Sequence, residues 1–265
     1  MENKKTFKYE TGFVLSGGFI KGFAHLGAIQ YLLERDIRPD VISGVSAGSL
    51  VGALFADGNE PYEVLEFFKG LKFQSFTSIS FLGKGGFLEL DDLIDFLKQH
   101  LKSKNIEDLP IPTIITATDL DHGRSVHFTR GSLPERIAAS CCMPVLFTPI
   151  NINGTHYVDG GVLMNLPVST LRGKCRHVVA INVSPLIAPK YKMNVFNVAM
   201  RSYDFIFRSN TIPEREDADL LIEPENLFSY SNMDLDKAQE IFERGYQTAK
   251  ETVEQMKETE SCFWK

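Results

Sequence analysis

Residues 40–56 read DVISGVSAGSLVGALFA, and this stretch decides the fold class. Asp40 to Ser43 reads as a short strand, and Ala47 to Ala56 is an Ala/Gly/Leu run with the composition of a buried helix. Between them stands Gly44-Val45-Ser46-Ala47-Gly48, a G-x-S-x-G in the strand–turn–helix setting the motif requires. A serine there occupies a sharp turn, and the small residues two before and two after it keep strand and helix from colliding. The helix N-terminus behind Ser46 offers partial positive charge to a developing anion. A plain Gly/Ser-rich turn is the competing reading; the flanking elements favour a nucleophile.

The same alternation continues outward in both directions. Phe13 to Leu15 is an expected strand and Gly22 to Glu34 a helix, joined by Gly17-Gly18-Phe19-Ile20-Lys21-Gly22. Pro61 opens a helix, residues 76–90 read as a glycine-containing aromatic loop, and Asp91 to Leu101 is an amphipathic helix. Pro112 to Ala117 and His177 to Val183 are buried strands, Ser125 to Phe128 pairs beside the first, and Leu133 to Ser140 is helical. Asn194 to Phe207 is a helix, Asp219 to Ile222 a late strand, and Leu235 to Met256 carries helical spacing. The expectation is an α/β fold of three layers, α/β/α, with a mostly parallel central sheet and helices on both faces. Residues 1–265 read as one domain, with the motifs in 13–183 and a helix/strand/helix completion over 194–258. Ligands then belong at the carboxyl ends of the strands, where the first glycine turn lies.

Composition narrows the function. A net charge of -6 argues against a nucleic-acid partner. The start, MENKKTFKYE, has no apolar stretch long enough for a signal peptide, and no apolar run approaches the roughly 18–20 residues of a membrane span. A soluble, cytoplasmic protein is expected. Cys141, Cys142, Cys175 and Cys262 show no metal or redox spacing and read as structural thiols. The 20 phenylalanines are the one compositional oddity; most belong in the core, and segments such as 67–87 could also line an acyl groove. The glycine turn misses both nucleotide patterns, because G-x-G-x-x-G needs glycine at residue 19 and no P-loop lysine follows.

A nucleophilic serine needs a base and an oxyanion hole. His25 reads as a packing or hydrogen-bonding residue and His100 as solvated. His122 and His127, with Asp119 and Asp121, suggest a polar turn rather than a metal site. His156 and His177 are the late candidates, although His177 enters its strand at the wrong end. The carboxylate candidate is Asp159, which follows THYV and precedes Gly160-Gly161. Alone, Asp-Gly is also a common hairpin turn.

The three motifs in this order resemble the patatin-like phospholipases, lipid acyl hydrolases that use a Ser–Asp dyad. AHLGAI at 24–29, ATDL at 117–120, AASCCMPVLFTPI at 138–150 and NLP at 165–167 extend the resemblance over about 13–183. It implies Ser46 as nucleophile, Asp159 as base, and the N–H groups of Gly17, Gly18 and Phe19 as oxyanion hole. Lys21, Gly22, Gly44, Gly48, Gly160 and Gly161 support the motifs, and neither metal nor cofactor is called for. The implied substrate is a phospholipid, lysophospholipid or other fatty-acyl ester, cleaved through an acyl-serine, with peripheral membrane contact; oligomeric state is left open. Lys21 could meet an anionic head group, whereas Arg172, Lys174 and Arg176 read as a solvated loop.

Two departures matter. Phe19 replaces the third glycine of the family's turn, at a cost of roughly 1–2 kcal/mol if that position needs positive φ. Lys21 replaces the commoner arginine, keeping charge and losing the planar fork. The alternatives are a lipid-binding or scaffolding protein with a spoiled oxyanion hole, and a Ser-His-Asp esterase using His156 or His177.

Overall fold

The computed structural model describes residues 6–80, 85–184, 193–230 and 234–258. The strands there are β1 (Tyr9–Leu15), β2 (Val41–Val45), β3 (Ser78–Ile79), β4 (Gly86–Glu89), β5 (Thr113–Asp119), β6 (Arg124–Phe128), β7 (Val145–Phe147), β8 (Ile150–Ile152), β9 (Thr155–Asp159), β10 (Cys175–Ile181) and β11 (Leu220–Ile222). The helices are α1 (Phe23–Glu34), α2 (Ala47–Ala56), α3 (Pro61–Phe67), α4 (Asp91–His100), α5 (Leu133–Cys141), α6 (Val195–Ser209), α7 (Ile212–Arg215) and α8 (Ala238–Glu258).

β11, β10, β1, β2 and β5 run parallel in that order. Their side chains show why they must be interior. Phe13 and Leu15 of β1 join Ile42, Val179 and Ile181 in the main core, which also takes in α1, α2 and α8. The intervening Val14 turns to the other face and packs with Val41, Val178 and Ala180 beneath Leu166, Val168 and Leu171. A strand with period-two side chains and both faces buried must be apolar at nearly every position, as these are. The three-layer α/β/α expectation holds, with element bounds shifted by a few residues.

The far side of the sheet positions the site. β6 and β9 both lie antiparallel to β5, and β8 hairpins with β9. Ile115 pairs with Gly44 on one edge and Phe128 on the other, while Ala117 pairs with Asp159 and Val126. β2 and β9 therefore share one edge of β5 and meet end to end. Val45 faces Thr116 and Asp159 faces Ala117, so the residue after β2 and the last residue of β9 converge.

One expectation needs correcting, and one competing reading falls away. The 76–90 segment is not simply a loop: β3 and β4 pair with each other and β4 with β7, forming a small second sheet. Such strands are too short for periodicity to reveal. Residues 81–84 of that segment, and Cys262, lie outside the described residues. The hairpin turn near residue 159 is Asn153-Gly154, with φ of 54° and 87°, rather than Asp159-Gly160. Asp159 instead ends β9 and caps a 3₁₀ turn over Gly160–Val162.

Candidate active site

Ser46 sits between β2 and α2 with φ 51° and ψ −126°, a conformation that non-glycine residues hold only when their surroundings impose it. The imposing contacts are visible. The Ser46 N–H donates to Ser140 Oγ at 2.7 Å, and that hydroxyl donates to the Thr116 carbonyl at 2.7 Å. The Ser46 carbonyl accepts from the N–H groups of Ser49 and Leu50 in the first turn of α2. The small flanking residues are required sterically: a Cβ on Gly48 would lie 2.3 Å from the Leu15 carbonyl oxygen, and one on Gly44 2.6 Å from that of Gly48.

From the opposite direction β9 delivers Asp159. Its Oδ2 accepts from Ser46 Oγ at 2.6 Å and its Oδ1 from the Gly161 N–H at 2.8 Å. Gly160 lets this turn close on β5, since a Cβ there would sit 2.3 Å from the Thr116 carbonyl oxygen. Asp159 is 2% exposed. Burial pushes its carboxyl from 3.8 up to about 7, against the bonds from Ser46 and Gly161 that favour the ionised form. A carboxylate so desolvated is a much stronger base than an exposed one.

The glycine turn continues from β1 into a 3₁₀ segment over Phe19–Gly22. Gly22 packs on α2, where its Cβ would fall 2.8 Å from Ala47 Cβ. The Gly17 N–H, expected as an oxyanion donor, donates to the Asn165 carbonyl at 3.2 Å. The N–H groups of Gly18 and Phe19 make no hydrogen bond among the described residues. Phe19 does hold positive φ, at 54°. That geometry sets a test: Phe19→Gly and Phe19→Ala both lose the ring, but only alanine keeps the strain. Urea unfolding should find the glycine variant more stable by about 1 kcal/mol, and an alanine variant of equal or greater stability would contradict the strain.

Lys21 does not face open solvent. It is 9% exposed, burial lowers its pKa, and Asp204 and Arg208 of α6 act on it with opposite signs. Arg172 pairs with Asp219 and Arg176 with Glu10, at the amino ends of β11 and β1. His25 is buried, its Nε2 lies 2.8 Å from the Ser16 carbonyl, and burial takes its pKa down to about 4. It is a neutral packing residue. His156 contacts Asp121 and His177 lies 3.9 Å from Glu10. His122 contacts Asp119 and His127 contacts Thr116. Among the described residues no imidazole bonds Ser46 or Asp159.

An apolar channel of about 120 Å³ leads away from Ser46 and Asp159, walled by Phe19, Phe23, Leu50, Phe68, Phe73, Phe76 and Phe147. Phe68 stacks edge-on against Phe23 and also touches Phe76 and Phe96, so the aromatic wall is continuous with the core. Phe87 points elsewhere and is 63% exposed. Cys141 also reaches this wall, with burial and Asp159 holding its thiol protonated. Sequence reasoning missed Ser140 as the brace of the elbow; its only signal was a polar residue inside the apolar AASCC run.

Residues 13–172 match the family profile described as Patatin-like phospholipase. An uncharacterised NTE family protein of Mycobacterium tuberculosis (strain ATCC 25618 / H37Rv) is 34% identical over 161 residues, covering 60% of this chain and 44% of that protein. Lysophospholipase NTE1 of Mycosarcoma maydis is 31% identical over 185 residues, 66% of this chain and 10% of that protein. The chain thus spans less than half the length of these curated relatives. VipD from Legionella pneumophila shares the fold, with TM-score 0.60 and 15% identity over 95% of this chain and 68% of that one.

Proposed function

The chain belongs to the patatin-like phospholipase family, and from that premise we propose that it is a serine lipid acyl hydrolase. The observation that carries the reading is the Ser46 Oγ–Asp159 Oδ2 hydrogen bond of 2.6 Å at the end of an aromatic-walled channel. In this reading an acyl chain enters the channel and sets its ester carbonyl over Ser46. Asp159 takes the hydroxyl proton as Ser46 Oγ attacks, and the tetrahedral oxyanion is held by the N–H groups of Gly18 and Phe19. Asp159 returns the proton to the leaving alcohol, which departs. Water then attacks the acyl-Ser46 with Asp159 again as base, releasing a fatty acid and restoring the serine.

The substrate class follows from the channel and the family together: a phospholipid or lysophospholipid, with the head-group side outside the apolar wall. The naming of a similar protein as a lysophospholipase supports a single-chain substrate as the first to try. Among the described residues no helix is long and apolar enough to cross a membrane. The Ser-His-Asp alternative loses its support, because His156 and His177 are both engaged away from the dyad.

The test is direct. Incubation with lysophosphatidylcholine should release free fatty acid, and a fluorophosphonate should label Ser46 in the same preparation. Absence of both would leave the lipid-binding alternative standing.

A further inference from the structure

Asn210 closes α6, outside the residues that match the family profile, yet its carboxamide reaches both turns of the site. Its Oδ1 accepts from the Asn165 N–H at 2.8 Å. Its Nδ2 donates to the Gly161 carbonyl at 2.8 Å and lies 3.4 Å from that of Val162. The two residues it grips each hold one half of the machinery. Asn165 gives its carbonyl to the Gly17 N–H, at the start of the turn that presents Gly18 and Phe19. Gly161 gives its N–H to Asp159 Oδ1.

The space between these turns is closely filled. A Cβ on Gly17 would lie 2.4 Å from Asn165 Oδ1 and 3.1 Å from Ser46 Cβ. One on Gly161 would lie 2.7 Å from the same Oδ1 and 3.1 Å from Asp159 Oδ1. The Asn165 carboxamide is buried there, and neither its oxygen nor its nitrogen has a hydrogen-bond partner among the described residues. Its side chain therefore supplies contact without direction. Orientation comes from its two backbone bonds, to Gly17 and to Asn210.

We propose that Asn210 is a positioning residue for acyl transfer at Ser46, fixing the glycine turn and the Asp159 turn relative to each other. The proposal rests on the hydrolase reading above. Displacing either turn by a fraction of an ångström would spoil the alignment of the Gly18 and Phe19 N–H groups with the oxyanion, a class of error that costs on the order of 10- to 100-fold in rate. Ground-state binding of an acyl chain in the channel would not change.

A structural tie of the same kind lies nearby and provides the control. Glu214 of α7 accepts from the Ser169 N–H and hydroxyl at 2.7 and 2.9 Å, clamping the same C-terminal segment away from both turns. The experiment compares Asn210→Ala with Glu214→Ala in the full chain, on a short chromogenic fatty-acyl ester. Asn210→Ala should lower kcat by about 10- to 100-fold with KM within about twofold. Hydrogen exchange should quicken in both 16–20 and 160–165. Glu214→Ala should lose thermal stability with kcat within about twofold of the wild type. If Asn210→Ala does not fold, Asn210→Asp keeps the acceptor for Asn165, loses the donor to Gly161, and should show the same fall in kcat. An unchanged kcat, a parallel fall in Glu214→Ala, or unchanged exchange in the two turns overturns the proposal. A wild type inactive on every acyl ester would refute the hydrolase reading instead, and the exchange measurement would still decide whether Asn210 couples the turns.

Discussion

Ser46→Ala is expected to lower hydrolysis of a fatty-acyl ester by roughly 10⁴- to 10⁶-fold, the loss that follows removal of a nucleophile from a serine hydrolase. The fold should survive. Alanine inherits the positive φ of Ser46 without new steric demand, and the Ser140 brace acts on the backbone N–H, which alanine retains. What disappears is the hydroxyl that donates to Asp159 Oδ2 at 2.6 Å, so the carboxylate keeps only the Gly161 N–H. Circular dichroism should therefore match the wild type, and thermal unfolding should match it closely below about pH 6, where Asp159 is protonated, while fluorophosphonate labelling is abolished. A variant retaining more than about a tenth of wild-type activity would show that another group attacks the ester. The paired measurement is His156→Gln with His177→Gln. Their imidazoles bind Asp121 and lie near Glu10, so the double variant should retain near wild-type turnover.

How much of this could be read from the chain depends on the range of each interaction. The elbow was legible because its determinants are local: Gly44, Ser46 and Gly48 lie within one turn, between a strand and a helix of unmistakable composition. Asp159 was legible only as a residue freed by Gly160 and Gly161. Its delivery depends on β9 running antiparallel into the end of β2 along β5, and no local pattern encodes such a pairing. The same limit applies to the glycine turn. Gly17 looks free in sequence, but its N–H is claimed by Asn165, a residue brought back by the chain after the Asp159 turn. Phe19 was legible in a useful way: its side chain flagged a strained position, and the φ of 54° is the strain. Asn210 gave no sequence signal and Ser140 only that of a polar residue in an apolar run, because a single polar residue acquires meaning only when folding puts it beside a backbone group that lacks a partner.

Asp159→Asn should abolish activity and, at the same time, stabilise the protein at alkaline pH. The amide cannot take a proton from Ser46, but it can accept from the Gly161 N–H and donate toward Ser46 Oγ, so the turn keeps its connections. The stability gain comes from removing a buried charge. In the folded chain the Asp159 carboxyl titrates near 7, against 3.8 when free of the fold. Between those values the folded state holds a proton that the unfolded state has lost. The contribution of Asp159 to stability is therefore fully present below about pH 4, declines as pH rises from there towards 7, and levels off above about 7, where the buried group ionises as well. At pH 8 this loss is on the order of 2–4 kcal/mol, and asparagine, which never ionises, avoids it. Thermal unfolding of the variant should exceed that of the wild type by several degrees at pH 8 and by little at pH 4. Activity runs the other way, because only the ionised carboxylate can accept the serine proton. Wild-type kcat/KM should rise with pH along an acid limb centred near 7 and level off above it. A limb centred near 4, or an equal stability gain at both pH values, would mean that Asp159 is neither desolvated nor basic as the geometry requires. Function and stability then make opposite demands on this carboxylate, and the Gly161 N–H and Ser46 hydroxyl are the contacts that keep its charge tolerable in the folded chain.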